Sequence, residues 1–186
     1  ANVAGAVIKG ANLQGATGFT SSQLYSTASY INQDLSNINA TSLNLTGWNF
    51  TNQNLHGANL SSAILTNTNF TGAIINGVDV RSAPTFTASQ LYSTSSYSKG
   101  DLSGITLAYN NLTGWNFSNQ NLNGVYFFGA TLTNANFNGA NVNGTSFSYG
   151  STGFSATQLY STASYANGDL STIKLAGLNL SGWNFA

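Results

Sequence analysis

The side chains of this sequence that could hold a metal, move a proton or grip a ligand are few, and most recur at fixed intervals. All four acidic residues are aspartates: Asp34, Asp79, Asp101 and Asp169. Asp34, Asp101 and Asp169 recur with a long repeat, but calcium asks for about six to eight oxygens, several from carboxylates close together. Aspartates so far apart along the chain do not offer that. Each is expected instead to bond a nearby turn amide, as Asx side chains do. His56 is the single histidine, beside Asn54, and there is no cysteine. Neither a His/Cys metal cluster nor a Ser-His-Asp arrangement is suggested. No G-x-x-x-x-G-K-S/T phosphate loop occurs. The sequence points to no catalytic residue, no cofactor and no metal, and an enzyme is not expected.

The aromatic residues are the remaining candidates. Trp48, Trp115 and Trp183 lie 67 and 68 residues apart, and Tyr25, Tyr92, Tyr160 and Tyr30, Tyr97, Tyr165 recur with the same step. Two readings are open for them. In one, each tryptophan packs beneath a neighbouring insert, against Leu24, Leu91 or Leu159 and the insert tyrosines, whose hydroxyls find partners at the rim. In the other, the aromatics form an exposed row for sugar rings. Asn-x-Ser/Thr triplets begin at Asn39, Asn44, Asn49, Asn59, Asn69, Asn111, Asn116, Asn143 and Asn179. They would mark glycans in a secreted eukaryotic protein, but here they read as by-products of a repeat.

That repeat has a beat of five. Every fifth residue is apolar from Leu35 to Val80 and from Leu102 to Phe147. Val3, Ile8 and Leu13 open the pattern, and Leu170, Leu175, Leu180 and Phe185 close it. Of these 27 centres, 26 are Leu, Ile, Val or Phe, and Ala40 is the exception. The residue before the centre is Asn in fifteen cases and Asp in four. The residue two before it is often small, as in Ala11, Ala58 and Ala135. A period of five fits neither a helix nor a flat strand. It fits a chain that turns a corner every five residues, with the centre and the small residue inward and four sides to a coil. Stacked coils would share backbone hydrogen bonds at about 4.8 Å spacing. Glycine two after the centre (Gly5, Gly10, Gly15, Gly57) suits such corners.

The A-N-L-x-x units, Ala11–Asn12–Leu13 and Ala58–Asn59–Leu60, resemble the pentapeptide-repeat family, whose consensus is A-(D/N)-L-x-x. The resemblance covers most of the chain, with Asn replacing much of the family's Asp. It implies an all-β fold, a right-handed quadrilateral β-solenoid, here continuous over residues 1–186. Three inserts break the beat at about 18–34, 85–101 and 153–169. Each carries Q-L-Y-S-T-x-S-Y, at Gln23–Tyr30, Gln90–Tyr97 and Gln158–Tyr165, with Thr20, Thr87 or Ser155 three residues before the Gln. That is a capping-box signature, so each insert is expected to be a short helical turn and loop. The long repeat is similar to those of secreted or surface proteins of bacteria.

Composition narrows the function. Only 4% of residues are charged, against about 25% in ordinary soluble domains, and the formal net charge is zero. Four Lys and Arg residues cannot neutralise a nucleic-acid backbone or hold an anionic membrane. Nor can four Asp imitate one, which sets this chain apart from the gyrase-binding DNA mimics within the family. No run approaches the ~18 apolar residues of a membrane span. With 41% hydrophobic and 12% aromatic residues, the Asn-, Ser- and Thr-rich chain has enough apolar surface for a core. There is no Met, so residue 1 is not expected to be a translation start, and no signal peptide is visible.

The expected role is non-enzymatic: a secreted or surface-displayed bacterial spacer or fibre element that associates with itself through the solenoid ends, neither of which looks capped. A glycan- or ice-binding wall is the alternative. With so few titrating groups, the melting temperature should vary little with salt or between about pH 5 and 9. A strong ionic-strength dependence in a thermal melt would contradict this.

Overall fold

The computed structural model describes residues 2–185. They form a β-solenoid in two compact units, Ala1–Lys99 and Gly100–Ala186. The construction of one side shows how the sequence builds both. In Asn54–Ala58, Leu55 and Ala58 are fully buried, while His56 faces solvent. The Ala58 amide donates to the Leu55 carbonyl (2.8 Å), closing a turn whose third residue, Gly57, has a φ of 66°. Type II turns require that left-handed residue. Across the centre, the His56 amide donates to Asn54 Oδ1 at 3.0 Å. The Asn before the centre is thus an Asx turn, repeated at Asn12, Asn44, Asn136 and Asn141.

Neighbouring coils are tied by three backbone bonds per side. Leu55 N–H reaches the Ile74 carbonyl (2.9 Å), Gly57 N–H that of Asn76 (3.0 Å), and Asn54 N–H that of Gln33 (2.9 Å). Parallel bridges join residues twenty apart: Asn54 to Ile74 and Asn59 to Asp79 in the first unit, Asn116 to Asn136 and Asn121 to Asn141 in the second. Twenty residues in five-residue sides make a four-sided coil. A corner so often leaves one bridged residue per side, so the expected all-β class appears as isolated parallel bridges, with no longer strand among the described residues.

The bore is filled in register. Phe50 stacks on Phe70 (5.6 Å, 15°), Phe117 on Phe137 (5.4 Å, 14°) and Phe127 on Phe147 (5.3 Å, 15°). At two inward positions a threonine bonds the neighbouring coil: Thr68 Oγ1 donates to the Leu45 carbonyl (2.8 Å) and Thr145 Oγ1 to that of Leu122 (2.7 Å).

The beat breaks at three helix pairs: α1 (Ser21–Tyr25) with α2 (Ala28–Ile31), α3 (Ala88–Tyr92) with α4 (Ser95–Ser98), and α5 (Ala156–Tyr160) with α6 (Ala163–Ala166). Thr20, Thr87 and Ser155 start the first helix of each pair through reciprocal capping boxes with Gln23, Gln90 and Gln158. A buried threonine ends that helix and begins the next. Thr27 Oγ1 donates to the Leu24 carbonyl (2.7 Å) and accepts from the Tyr30 amide (3.2 Å). Thr94 and Thr162 do the same. Leu24, Leu91 and Leu159 point into the core and are fully buried.

Each pair occupies a place in the coil. Between the helices the backbone pairs with the coil before it: the Ala28 amide with Ala6, Ser95 with Ala73, and Ala163 with Ala140. Ser29, Ser96 and Ser164 then offer a hydroxyl where a strand would offer a carbonyl, accepting from Ile8, Ile75 and Val142 amides, each at 2.9 Å. The detour is short: Asn12 bridges Asn39, seven residues beyond the usual twenty. Ser96→Ala leaves the buried Ile75 N–H without its acceptor and should cost about 1–3 kcal/mol. The check is the urea midpoint, with an unchanged midpoint counting against the substitution of a hydroxyl for a carbonyl.

Candidate functional site

The recurrent tyrosines sit where the helix pairs meet the following coil, and the hydroxyls of Tyr25, Tyr30 and Tyr160 are engaged. Tyr25 and Tyr30 lie against each other with ring centroids 4.6 Å apart. The Asn49 amide donates to Tyr25 Oη (2.7 Å), and Tyr30 Oη donates to the Asn49 carbonyl (3.0 Å). In a plain coil those groups of Asn49 would meet a backbone carbonyl and a backbone N–H. The two phenols therefore act as a strand made of side chains. Tyr160 accepts from the Asn184 amide, and pairs with Tyr165 at the same 4.6 Å ring separation. Tyr92 and Tyr97 pair likewise at 4.6 Å. Burial, and then the neighbouring Tyr25, raise the Tyr30 pKa above its ordinary value; burial and Tyr92 do the same for Tyr97.

The tryptophans pack on phenylalanines. Trp48 has Phe19 at 6.0 Å and Phe50 at 6.4 Å, and Trp183 has Phe154 at 5.9 Å and Phe185 at 6.2 Å. Trp115 is 8% exposed and stacks on Phe117 at 6.3 Å. Trp48 and Trp183 are half-buried, so of the three only Trp115 is enclosed.

The aspartates stay apart. Among the described residues no three His, Cys, Asp or Glu side chains come together as a metal site. Each aspartate accepts from the amide two residues on: Ser36, Arg81, Ser103 and Ser171. Asp34 also meets Lys9 Nζ at 2.8 Å and Ser36 Oγ at 2.6 Å. The Lys9 bond, then that of Ser36, hold its carboxyl down at about 2. Asp79 pairs with Arg81. His56 is exposed on the outer wall.

Two surfaces escaped the sequence reading. One is an open groove beside α3, lined by Phe70 and by the uncharged polar side chains of Thr66, Thr68, Asn69, Thr85 and Gln90 among others. The other is an exposed aromatic cluster in the second unit. Tyr109 and Phe128 lie 5.3 Å apart, Phe128 and Tyr149 6.2 Å apart, and Lys174 Nζ stands 5.7 Å from the Tyr126 ring centroid. Tyr109, Tyr126 and Tyr149 are 56%, 45% and 59% exposed. Tyr109 and Tyr149 occupy the left-handed corner position, with φ of 60° and 40°. A tyrosine in a column of Gly, Asn and Ser was the available signal.

Residues 34–72 and 111–148 match the family model of the pentapeptide repeats, with eight copies. Among solved structures the chain is similar to HetL, a pentapeptide-repeat protein involved in heterocyst differentiation regulation in the cyanobacterium Nostoc sp. strain PCC 7120. The two are 21% identical over 80% of this chain and 62% of HetL, with a TM-score of 0.29. It is similar to Rfr23 of the cyanobacterium Cyanothece 51142 at 20% identity, over 80% of this chain and 91% of that one, with a TM-score of 0.28. Full-length QnrB1, a plasmid-mediated fluoroquinolone resistance protein, is 13% identical over 80% and 77% of the two chains, with a TM-score of 0.26. This chain spans 62% of the length of HetL. No curated protein sequence matches it.

Stability should fall at the two extremes of pH. Asp34 has a folded pKa below its ordinary 3.8, so its contribution is present above that value and is lost as pH falls toward 2. It is small, because Asp34 is exposed to solvent. Tyr30 and Tyr97 have folded values above 10.0, so their contribution is present below that and disappears as pH rises through it. Tyr30→Phe, which removes the donor to Asn49, should cost about 1 kcal/mol at neutral pH and soften the alkaline fall. An identical alkaline limb in wild type and variant, followed by circular dichroism, would refute the role given to that hydroxyl.

Proposed function

We propose that this pentapeptide-repeat protein is a non-enzymatic structural element, a right-handed four-sided coil displayed outside the bacterial cell. It acts as a spacer or fibre unit by stacking end to end. The observation that carries the reading is the ladder itself, in which each coil pairs its backbone with the next and the inward residues are buried by that stacking. Leu55, Leu60, Leu112 and Leu122 are fully buried within the units. An end face also carries backbone N–H and C=O groups that a further coil would pair.

A second copy that continued the ladder would pair those groups and extend the inward columns. Such a contact is head-to-tail, and repetition of it produces an open filament. The near absence of charge supports this reading, because copies of a neutral wall do not repel one another. An extracellular location fits a chain without cysteine, whose folding is indifferent to oxidation.

The test is electron microscopy and sedimentation velocity over a concentration series. Filaments that lengthen with concentration are expected, and Leu175→Asp with Leu180→Asp should shorten them by placing charge in the inward column that a stacked copy would continue. A wild-type protein that remains monomeric up to millimolar concentration would overturn the stacking role.

A further inference from the structure

One corner of the second unit departs from the rest of the solenoid. The residue two after each centre is left-handed, and in nearly every side it is Gly, Asn or Ser. Along successive coils this corner reads Tyr109, Gly129, Tyr149, Gly177, an alternation of tyrosine and glycine. A bulky residue at positive φ is an outlier that persists only where the structure around it enforces it. Nothing in the fold asks for an aromatic there, since the other corners close with small residues.

The glycines make room for the rings. A Cβ on Gly129 would lie 2.6 Å from Tyr109 Cδ1, and one on Gly177 3.0 Å from Tyr149 Cδ1. Each tyrosine therefore leans over the glycine of the next coil. Phe128 stands between the two, and Tyr126 precedes it on the same side of the coil, with Lys174 beside the Tyr126 ring. The result is a row of rings stepping from coil to coil, the tyrosines exposed and Phe128 half-buried, with the ring planes turned by 71° and 49° between neighbours.

We propose that Tyr109, Phe128 and Tyr149, with Tyr126 at their flank, bind a neutral polysaccharide chain by stacking against the C–H faces of successive pyranose rings. The choice of partner follows from the chemistry of the wall. An anionic polymer would need several cations and a cationic one several carboxylates; among the described residues Lys174 is the one charged group found against these rings, in a chain with only four cations and four carboxylates. Rigid tyrosines lose little conformational entropy on binding and combine an apolar face with a hydroxyl that can meet sugar hydroxyls. The turned rings suit a single twisting chain better than a flat crystalline surface. This site is independent of the solenoid ends and of the insert tyrosines.

The experiment is affinity gel electrophoresis of the whole protein in gels containing hydroxyethylcellulose, xylan or galactomannan, beside thermal melts. Wild type should be retarded by at least one of them, to an extent that added salt does not change. Tyr109→Gly with Tyr149→Gly should weaken that binding by at least about tenfold. The same variant should melt at or above the wild-type temperature, because glycine accepts the left-handed corner without strain. Retardation by none of the polymers, or equal retardation of wild type and variant, would overturn the proposal. So would a lowered melting temperature in the variant, which would make the tyrosines structural. Concentration-dependent self-association that the variant abolishes would also overturn it, and assign the row to a second copy.

Discussion

Each side of the coil gives its backbone N–H and carbonyl groups to the sides twenty residues before and after it, and the whole structure answers to that exchange. A hydrogen bond made to a neighbouring coil is worth little net, but an unmade one in a closed bore is costly. The chain can leave its five-residue beat only if some other group supplies the missing donors and acceptors. The helix pairs meet that condition with side chains. Ser29, Ser96 and Ser164 supply acceptors toward the preceding coil, and Tyr25 and Tyr30 supply an acceptor and a donor toward the following one. Gln90 adds two donor bonds, from Nε2 to the Leu65 and Thr68 carbonyls, and Gln158 does the same to Leu132 and Ala135. The conserved look of the Q-L-Y-S-T-x-S-Y segment within this one chain therefore has a mechanical cause.

The same exchange explains what was legible in the sequence. Leu55 at the centre, Ala58 inward, Asn54 before the centre and Gly57 after it each follow from a local demand, namely burial, space, an Asx turn and positive φ. Repetition of those demands spells the fold. The capping boxes at Thr20, Thr87 and Ser155 were legible for the same reason, since their partners stand three residues away. The tyrosines of the inserts were visible as recurrences, but their bonding was not. Whether a phenol faces a ligand or a backbone amide depends on a residue such as Asn49, some twenty positions away and in another coil. Tyr109 and Tyr149 were passed over because they lie in a column read for its glycines, and single departures are hard to see in a pattern defined by its majority.

The solenoid thus separates two kinds of position. Inward and before-centre residues are held by packing and by turn geometry, so they vary little. The remaining outward positions are free to carry a surface, which here is almost uncharged and built of amides and hydroxyls. That freedom lets an aromatic row arise on one corner without any change to the core beneath it.

The ladder also bears on how such a protein ages. Asparagine followed by glycine is the sequence most prone to spontaneous deamidation, in which the amide nitrogen of the glycine attacks the asparagine side chain to form a cyclic imide. This chain carries several such pairs, among them Asn123–Gly124, Asn138–Gly139 and Asn143–Gly144. In each, the glycine N–H is committed to a carbonyl of the neighbouring coil, that of Asn143, Ser161 and Ser171 respectively. A nitrogen fixed in the ladder, on a backbone that cannot rotate toward the side chain, is a poor nucleophile. Stacking one coil on the next therefore does more than hold the fold: it also holds these Asn-Gly pairs away from the geometry that cyclisation needs.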